Sequence, residues 1–469
     1  MDDRTTALKP HFLSDARIGW AVFAAFAVVN IALLGHRSLW LDEFMTLDIA
    51  RPDASFAYVL TERLRADRSP PLYFILVHFW MGVFGDGEVA LRSLNLVGLG
   101  ILGAAMAYSR RLRWMRRAWL AFWILLLTSR FAWDFVTEGR SYFLLFSGTT
   151  LLCVLVVDFL QRMEADRTMS PALLAVTALT TLSLGVLHYF GFLIAESAMA
   201  VLAAMALVRR RWRDAGMFLA ISAVMLANLL IWVLGTRPSR KFWLDFDPLG
   251  AVFDFVVFSL SSNLSLVALG GFALYAARRG LLKDVPLLAL AAIGAITFAA
   301  AFAISLKQPL LHARYLIVLA PPLLLILARL LAEAPQRWVL PVGLGSALLL
   351  SLPVAIMKSL PSREDWRGAD RLIEARFAGQ CRHAVMMAEP TSWQYIAHRY
   401  HARGRDWTYL PMGQASVEAV LAGPCPVLAW AGHITEAQFQ AAFAPIDWKG
   451  TPVAVVRFRD VYLVLRKQS

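Results

Sequence analysis

Charge is scarce in this chain. Only 17% of its 469 residues are Asp, Glu, Lys or Arg, against about 25% in soluble domains. That excludes an ordinary water-soluble fold, and a 59% hydrophobic content with a mean hydropathy of +0.58 agrees. Cysteine is rarer still, at three residues, so a disulfide-built scaffold is excluded. His, Cys, Asp and Glu nowhere stand at zinc-ligand spacing, and no metal site is expected from them. Acids are in deficit, 33 against 46 bases, for a net charge of +13. In a soluble chain that excess would point to nucleic acid. Here most of the Arg residues cluster between apolar runs, where they orient membrane spans, and nucleic acid is not expected. The start, MDDRTTALKPHFLSDAR, is polar and leads into a run too long for a signal-peptide core, so it reads as a cytoplasmic tail.

Long apolar runs are what the chain has in abundance. A bilayer is crossed by about 20 apolar residues. Eleven runs qualify: Ile18–Gly35, Val89–Tyr108, Ala118–Trp133, Tyr142–Leu160, Pro171–His188, Gly191–Val208, Ala215–Leu234, Phe253–Ala276, Val285–Leu306, Tyr315–Leu331 and Val339–Met357. Leu72–Phe84 is apolar but short. Three basic clusters decide its placement: Arg110 to Arg117, Arg209 to Arg213, and Arg278 to Lys283. All share the side of the N-terminus only if Leu72–Phe84 does not cross, so it is expected to lie flat on the outer surface. The expected architecture is mainly α: a polytopic helix bundle over 1–357 with a long first external loop, 36–88. The N-terminus is expected in the cytoplasm and residues 358–469 outside, in the inner (plasma) membrane of a cell envelope.

The stretch 358–469 differs in pattern. HAVMMAE, CPVLAWAG and PVAVVRFRDVYLVLRK read as strands, and Trp366–Phe377 and Thr435–Phe443 as helices, giving a small α/β domain. Cys381 and Cys425 each precede a strand. An oxidising exterior permits a disulfide between them, and two free buried thiols fit equally well. Cys153, inside a span, reads as packing.

Polar groups gather at the external ends of the spans. Just past the first run stands Trp40-Leu41-Asp42-Glu43, two adjacent acids at a membrane surface, where ionisable groups are expensive and tend to serve function. Asp42 also stands where a helix N-cap would, and the pair has the hard oxygens a divalent cation takes. The second external loop carries Glu138 and Arg140, and a tight turn holds His188 and Tyr189, where a lone His is usually packing. The last two external loops hold Arg237, Arg240, Lys241, Lys307 and Arg314 against the positive-inside bias. Snorkelling to lipid headgroups explains such residues, and so does a bound phosphate. A carboxylate beside a cationic pocket suits transfer from a lipid-linked phosphate: the cations stabilise the leaving phosphate and the carboxylate deprotonates the incoming hydroxyl.

Four segments in order, SLWLDEFMTLDIA, SPPLYFILVHFWMGVFGDGEVALRSLNLVGL, TEGRSYFLLF and HARYLIVLAPPLLLILA, resemble the GT-C superfamily of integral membrane glycosyltransferases. The likeness is to glycosyltransferase family 39 and its bacterial relatives, which include protein O-mannosyltransferases and lipid A aminoarabinose transferases. The resemblance implies transfer of a sugar from a polyprenyl-phosphate donor to an acceptor glycan, lipid or protein on the outer face. It places Asp42 at the catalytic aspartate, with Glu43 beside it in the catalytic pair, orienting the acceptor or Asp42. Glu138 and Arg140 would line the cavity with Tyr73, His188 and Tyr189, and Arg314 and Tyr315 would lie near the donor phosphate with Lys307, Arg237, Arg240 and Lys241. Relatives often carry His or Lys before the Pro-Pro where this chain has Ser69, leaving Arg68 as a substitute phosphate contact.

Two other function classes compete. A transporter or flippase of lipid-linked sugar would place ionisable groups at mid-span. Asp158 and Glu196 read as lying near span ends and Asp254 as starting a span, which favours a one-sided enzyme site. A scaffold holding partners through its terminal domain would not call for acids and bases on one face.

Overall fold

A computed structural model describes residues 16–467, apart from 68, 117, 237–245, 261–270, 272–279, 281–282, 334–344, 346–348, 351, 358–359, 361–363, 378–384, 388–399, 401–407, 411–412 and 424. The chain divides into two compact units. The first comprises Met1–Ile31, Pro52–Gly85 and Arg92–Ala355, and the second Ala32–Arg51, Asp86–Leu91 and Ile356–Ser469.

The first unit is built from apolar helices. Among the described residues, seven are long and apolar enough to cross a membrane: Ala16–Leu33, Glu88–Ser109, Tyr142–Glu164, Tyr189–Val208, Trp212–Gly235, Val285–Ser305 and Tyr315–Ala332. The protein is a multi-pass membrane protein. The expected run Ala118–Trp133 is not one rod. It is two helices, Trp119–Thr128 and Arg130–Val136, bent by 69°. Ser129 at the break has ψ 113°, an extended value that ends the first helix. Leu72–Phe84 and Pro171–Leu187 are shorter helices, as is Pro248–Leu260, beyond which most of the expected Phe253–Ala276 and Val339–Met357 lies outside the described residues. Pro321 and Pro322 do not kink a helix. They occupy the first turn of Ala320–Ala332, where no intrahelical N–H is needed, after a 3₁₀ segment Tyr315–Leu319.

Several described ionisable groups inside this unit are paired, which offsets the cost of burying them. Tyr108 Oη–H donates to Asp158 Oδ2 at 2.6 Å, and Arg162 Nε–H to Asp158 Oδ1 at 2.9 Å. Trp114 Nε1–H donates to Asp284 at 2.7 Å, and Arg329 lies 3.4 Å from the same carboxylate. Glu196 was expected near a span end. It sits seven residues inside the helix Tyr189–Val208, where the Ser222 hydroxyl donates to it.

The second unit joins two short stretches to the terminal part of the chain. The strands are β1 (Val385–Met387), β2 (Thr408–Leu410), β3 (Val427–Gly432), β4 (Val453–Phe458) and β5 (Val461–Arg466). β1 and β2 pair in parallel, and β3, β5 and β4 form an antiparallel sheet in that order. β3 is buried throughout and β5 nearly so, which explains their continuous rather than alternating apolar runs. The sheet packs on Gln414–Leu421 and Glu436–Phe443 through Val417, Val420, Phe439, Phe443 and Tyr462. Cys425, also buried, is disulfide-bonded, whereas Cys153 is a free buried thiol. Cys381, the candidate partner, lies outside the described residues.

Candidate active site

Asp42 lies in the second unit, on the helix Leu41–Ile49. Trp40, not Asp42, is the N-cap. The Trp40 N–H donates to Glu43 Oε2 at 3.3 Å, and Glu43 N–H returns to Trp40 O at 2.9 Å. Glu43 is fully buried. Its carboxylate therefore closes the start of the helix, where the helix dipole also favours negative charge. Asp42, one residue earlier, is half-buried. One oxygen of the Glu43 carboxylate is thus engaged on its own helix. Among the described residues, no group of three or more His, Cys, Asp or Glu is arranged to hold a metal ion.

The helix bearing Asp42 is fastened inside its unit through Phe44 and through the chain that leads into it. Phe44, fully buried, meets Trp366 edge-on at 6.1 Å and Tyr400 at 5.5 Å. Arg367, next to Trp366, reaches the chain that leads to Asp42. Its guanidinium donates to Gly35 O at 2.8 Å and Arg37 O at 3.0 Å and pairs with Glu88, and its N–H donates to Ser38 Oγ at 3.3 Å. One arginine thus satisfies carbonyls left open where the first span ends.

The same unit holds a polar chain that the sequence did not announce. Glu364, 3% exposed, accepts Trp366 Nε1–H at 2.9 Å and stands 2.6 Å from His433 Nδ1. The hydrogen bond to Glu364 raises the His433 pKa above its ordinary 6.5; burial opposes this, and the charges of Glu364, Asp42 and Asp460 add to it. A raised His pKa contributes stability that is complete below 6.5 and lost as pH rises through the folded-state value. The expected result is a wild-type melting temperature that declines across that rise. A His433→Asn protein should lack this component, and identical pH profiles would show that His433 is not its source.

In the first unit, the segments expected to line a cavity meet in an aromatic cluster. Tyr142 lies 5.9 Å from His188 and 6.3 Å from Tyr315, ring to ring. Tyr315 also meets His188 at 5.5 Å, Phe190 at 5.6 Å and His312 at 5.8 Å. The Arg140 guanidinium stands 5.9 Å from the Tyr142 ring centre. Both histidines use Nδ1 as an acceptor, from Phe190 N–H at 3.1 Å and Arg314 N–H at 3.3 Å. The proton of each neutral ring is then on Nε2. Gly191 makes the His188 turn tight: a Cβ there would lie 2.3 Å from Leu184 O. Arg314 and Tyr315 are half-buried, Lys307 is exposed, and Tyr73 is buried near the start of Leu72–Phe84. Tyr189 begins the helix that follows His188. Arg68, Arg237, Arg240 and Lys241 lie outside the described residues.

Asn95, overlooked in the sequence, places Glu138 and Arg140. Its buried Nδ2, with two hydrogens to share, lies within hydrogen-bond distance of the carbonyls of Phe135 at 3.0 Å, Val136 at 3.2 Å and Glu138 at 2.6 Å. These close the end of Arg130–Val136, and the chain then turns through Glu138 to Arg140. Asn95→Leu should cost about 1–3 kcal/mol for carbonyls left buried without a donor. It should also release the Glu138–Arg140 turn. Unchanged thermal unfolding of the purified protein would refute that role.

Comparison with protein-family models and with curated proteins finds no match. Solved structures do match. ArnT from Cupriavidus metallidurans in the apo state aligns over 96% of this chain and 98% of its own, at a TM-score of 0.56 and 16% identity. The same protein bound to undecaprenyl phosphate aligns over the same shares, at 0.53 and 15%. The chain has the fold of ArnT. The mainly helical, membrane-spanning architecture with a small C-terminal sheet expected from the sequence is the one observed. The ArnT likeness runs nearly end to end, so it includes both the apolar helices and the unit that carries Asp42.

Proposed function

We propose that the protein is a membrane glycosyltransferase that moves a sugar from a polyprenyl-phosphate donor to an acceptor hydroxyl on the outer face of the inner membrane. The observation that carries this reading is the fold shared over 96% of the chain with an ArnT that binds undecaprenyl phosphate. Asp42 is the general base that takes the acceptor proton. Glu43 acts through the helix start rather than on substrate. Arg314, Lys307, Arg140 and the basic residues Arg68, Arg237, Arg240 and Lys241 neutralise the donor phosphate as it leaves, which lowers the barrier as charge develops. Tyr142, His188 and Tyr315 offer ring faces and Nε2–H donors suited to a sugar, with Tyr73, Tyr189 and Glu138 as further contacts. A single displacement inverts the anomeric carbon. The N-terminus is cytoplasmic and the chain from 358 onwards extracytoplasmic.

The test is transfer of labelled sugar from polyprenyl phosphate to an acceptor extract by the protein reconstituted in vesicles. Label appearing in the acceptor fraction supports the reading. Labelled lipid crossing the bilayer without any transfer would replace it with the flippase alternative.

A further inference from the structure

The unit that carries Asp42 is assembled from three separate stretches, 32–51, 86–91 and 356–469. Arg367 joins all three. From the last stretch its guanidinium donates to Gly35 O at 2.8 Å and Arg37 O at 3.0 Å in the first, and it pairs with Glu88 in the second. Its main-chain N–H donates to Ser38 Oγ at 3.3 Å. Ser38 is buried and stands two residues before Trp40, the N-cap of the Asp42 helix. Two residues beyond Asp42, Phe44 packs on Trp366, the neighbour of Arg367. Two consecutive residues thus hold the chain on either side of the proposed base. Arg367 is also the second residue of the helix Trp366–Phe377, where the helix dipole disfavours a cation. Asp365 closes that helix start: its Oδ1 accepts the Gly368 N–H at 2.9 Å, and its own N–H donates to Phe458 O of β4 at 3.4 Å. A residue that breaks a local rule tends to serve the site instead. What Arg367 supplies is a planar fork of donors that reaches two carbonyls and a carboxylate at once, which the point charge of a lysine does not reproduce.

We propose that Arg367 is a positioning residue for sugar transfer: by gripping the chain at Gly35, Arg37 and Ser38 it fixes where the Asp42 helix begins, and with it where the Asp42 carboxylate stands. This rests on the reading of Asp42 as base. Arg367 acts through the main chain and touches no substrate. Its loss therefore displaces the base rather than removing it, and a displacement of about 1 Å can cost about 10²-fold in rate.

The experiment measures kcat and KM for transfer from labelled polyprenyl-phosphate sugar in vesicles. Rates are expressed per donor-binding site, counted with the same labelled lipid. The proteins are wild type, Arg367→Gln, Arg367→Lys, the pair Arg367→Gln with Glu88→Gln, and Asp42→Asn. Counting sites removes unfolded protein from the rate, so a merely structural role would leave kcat per site unchanged. The expected result is a fall of about 10²-fold in kcat per site for Arg367→Gln, with the KM for donor little changed. Arg367→Lys should fall less, because it keeps a cation opposite Glu88 but loses the fork. The paired variant covers a failure of Arg367→Gln to fold, since it leaves no Glu88 carboxylate without its cation, and it should show the same fall. Wild-type kcat per site in any Arg367 variant, or a loss that appears only as a raised KM, overturns the proposal. Wild-type transfer by Asp42→Asn overturns the base assignment instead, whatever Arg367 does.

Discussion

Asp42→Asn should abolish sugar transfer while leaving the protein folded. Asparagine has the same shape but cannot accept the acceptor's proton, and general-base catalysis contributes about 10²–10⁴-fold. Two main-chain contacts at this site do not use the charge. Thr46 Oγ–H donates to the main-chain carbonyl of Asp42, and the helix start is closed by Glu43, so both contacts survive the change. Melting temperature and donor binding should match wild type, with the loss confined to turnover. Glu43→Ala should behave differently, because it removes a helix-start contact worth about 0.5–2 kcal/mol and weakens stability before chemistry. Transfer by Asp42→Asn at the wild-type rate would remove Asp42 from the mechanism.

Trp366→Ala should be the most destabilising single change in the second unit. The indole is 1% exposed and touches Phe44, Trp430 and the backbone at Gly432, where a Cβ would lie 2.2 Å from its ring. Truncating a buried Trp to Ala costs about 3–5 kcal/mol. It also strips the donor from Glu364 Oε2, and a buried carboxylate oxygen left bare costs more. Trp366→Phe separates the two effects, since it retains a ring but not the N–H. The prediction is a large drop in melting temperature for Ala, a smaller one for Phe, and reduced transfer in both. A Trp366→Ala protein with wild-type unfolding and activity would show that this indole does not hold the Asp42 helix.

The apolar helices were legible because their signal is local. Leu72–Phe84 has the bounds that its hydrophobic run indicated, and Trp366–Phe377 likewise. The break at Ser129 was not legible, because the run Ala118–Trp133 is apolar on both sides of it and its downstream half is held by Asn95, some 40 residues earlier. Asn95 gave no signal, since a single amide in an apolar span resembles any tolerated polar residue. Glu43 looked like half of a reactive pair, and only its bond to Trp40 shows that it closes the helix. Acid pairs advertise themselves in sequence, but which acid faces outward depends on the helix phase. His433 and Glu364 were missed for a different reason. No spacing rule links a strand end to a segment 69 residues before it.

The discontinuous second unit also imposes a schedule on biosynthesis. Asp42 leaves the ribosome early, whereas Trp366, Arg367 and the strands that complete its unit follow more than 300 residues later. Closing so long a stretch is slow compared with forming local helices. The nascent protein would therefore insert its spans well before the Asp42 helix is seated. A chimera that exchanged the terminal domain alone would sever the same bond. The stretches 32–51, 86–91 and 356–469 would have to be inherited together.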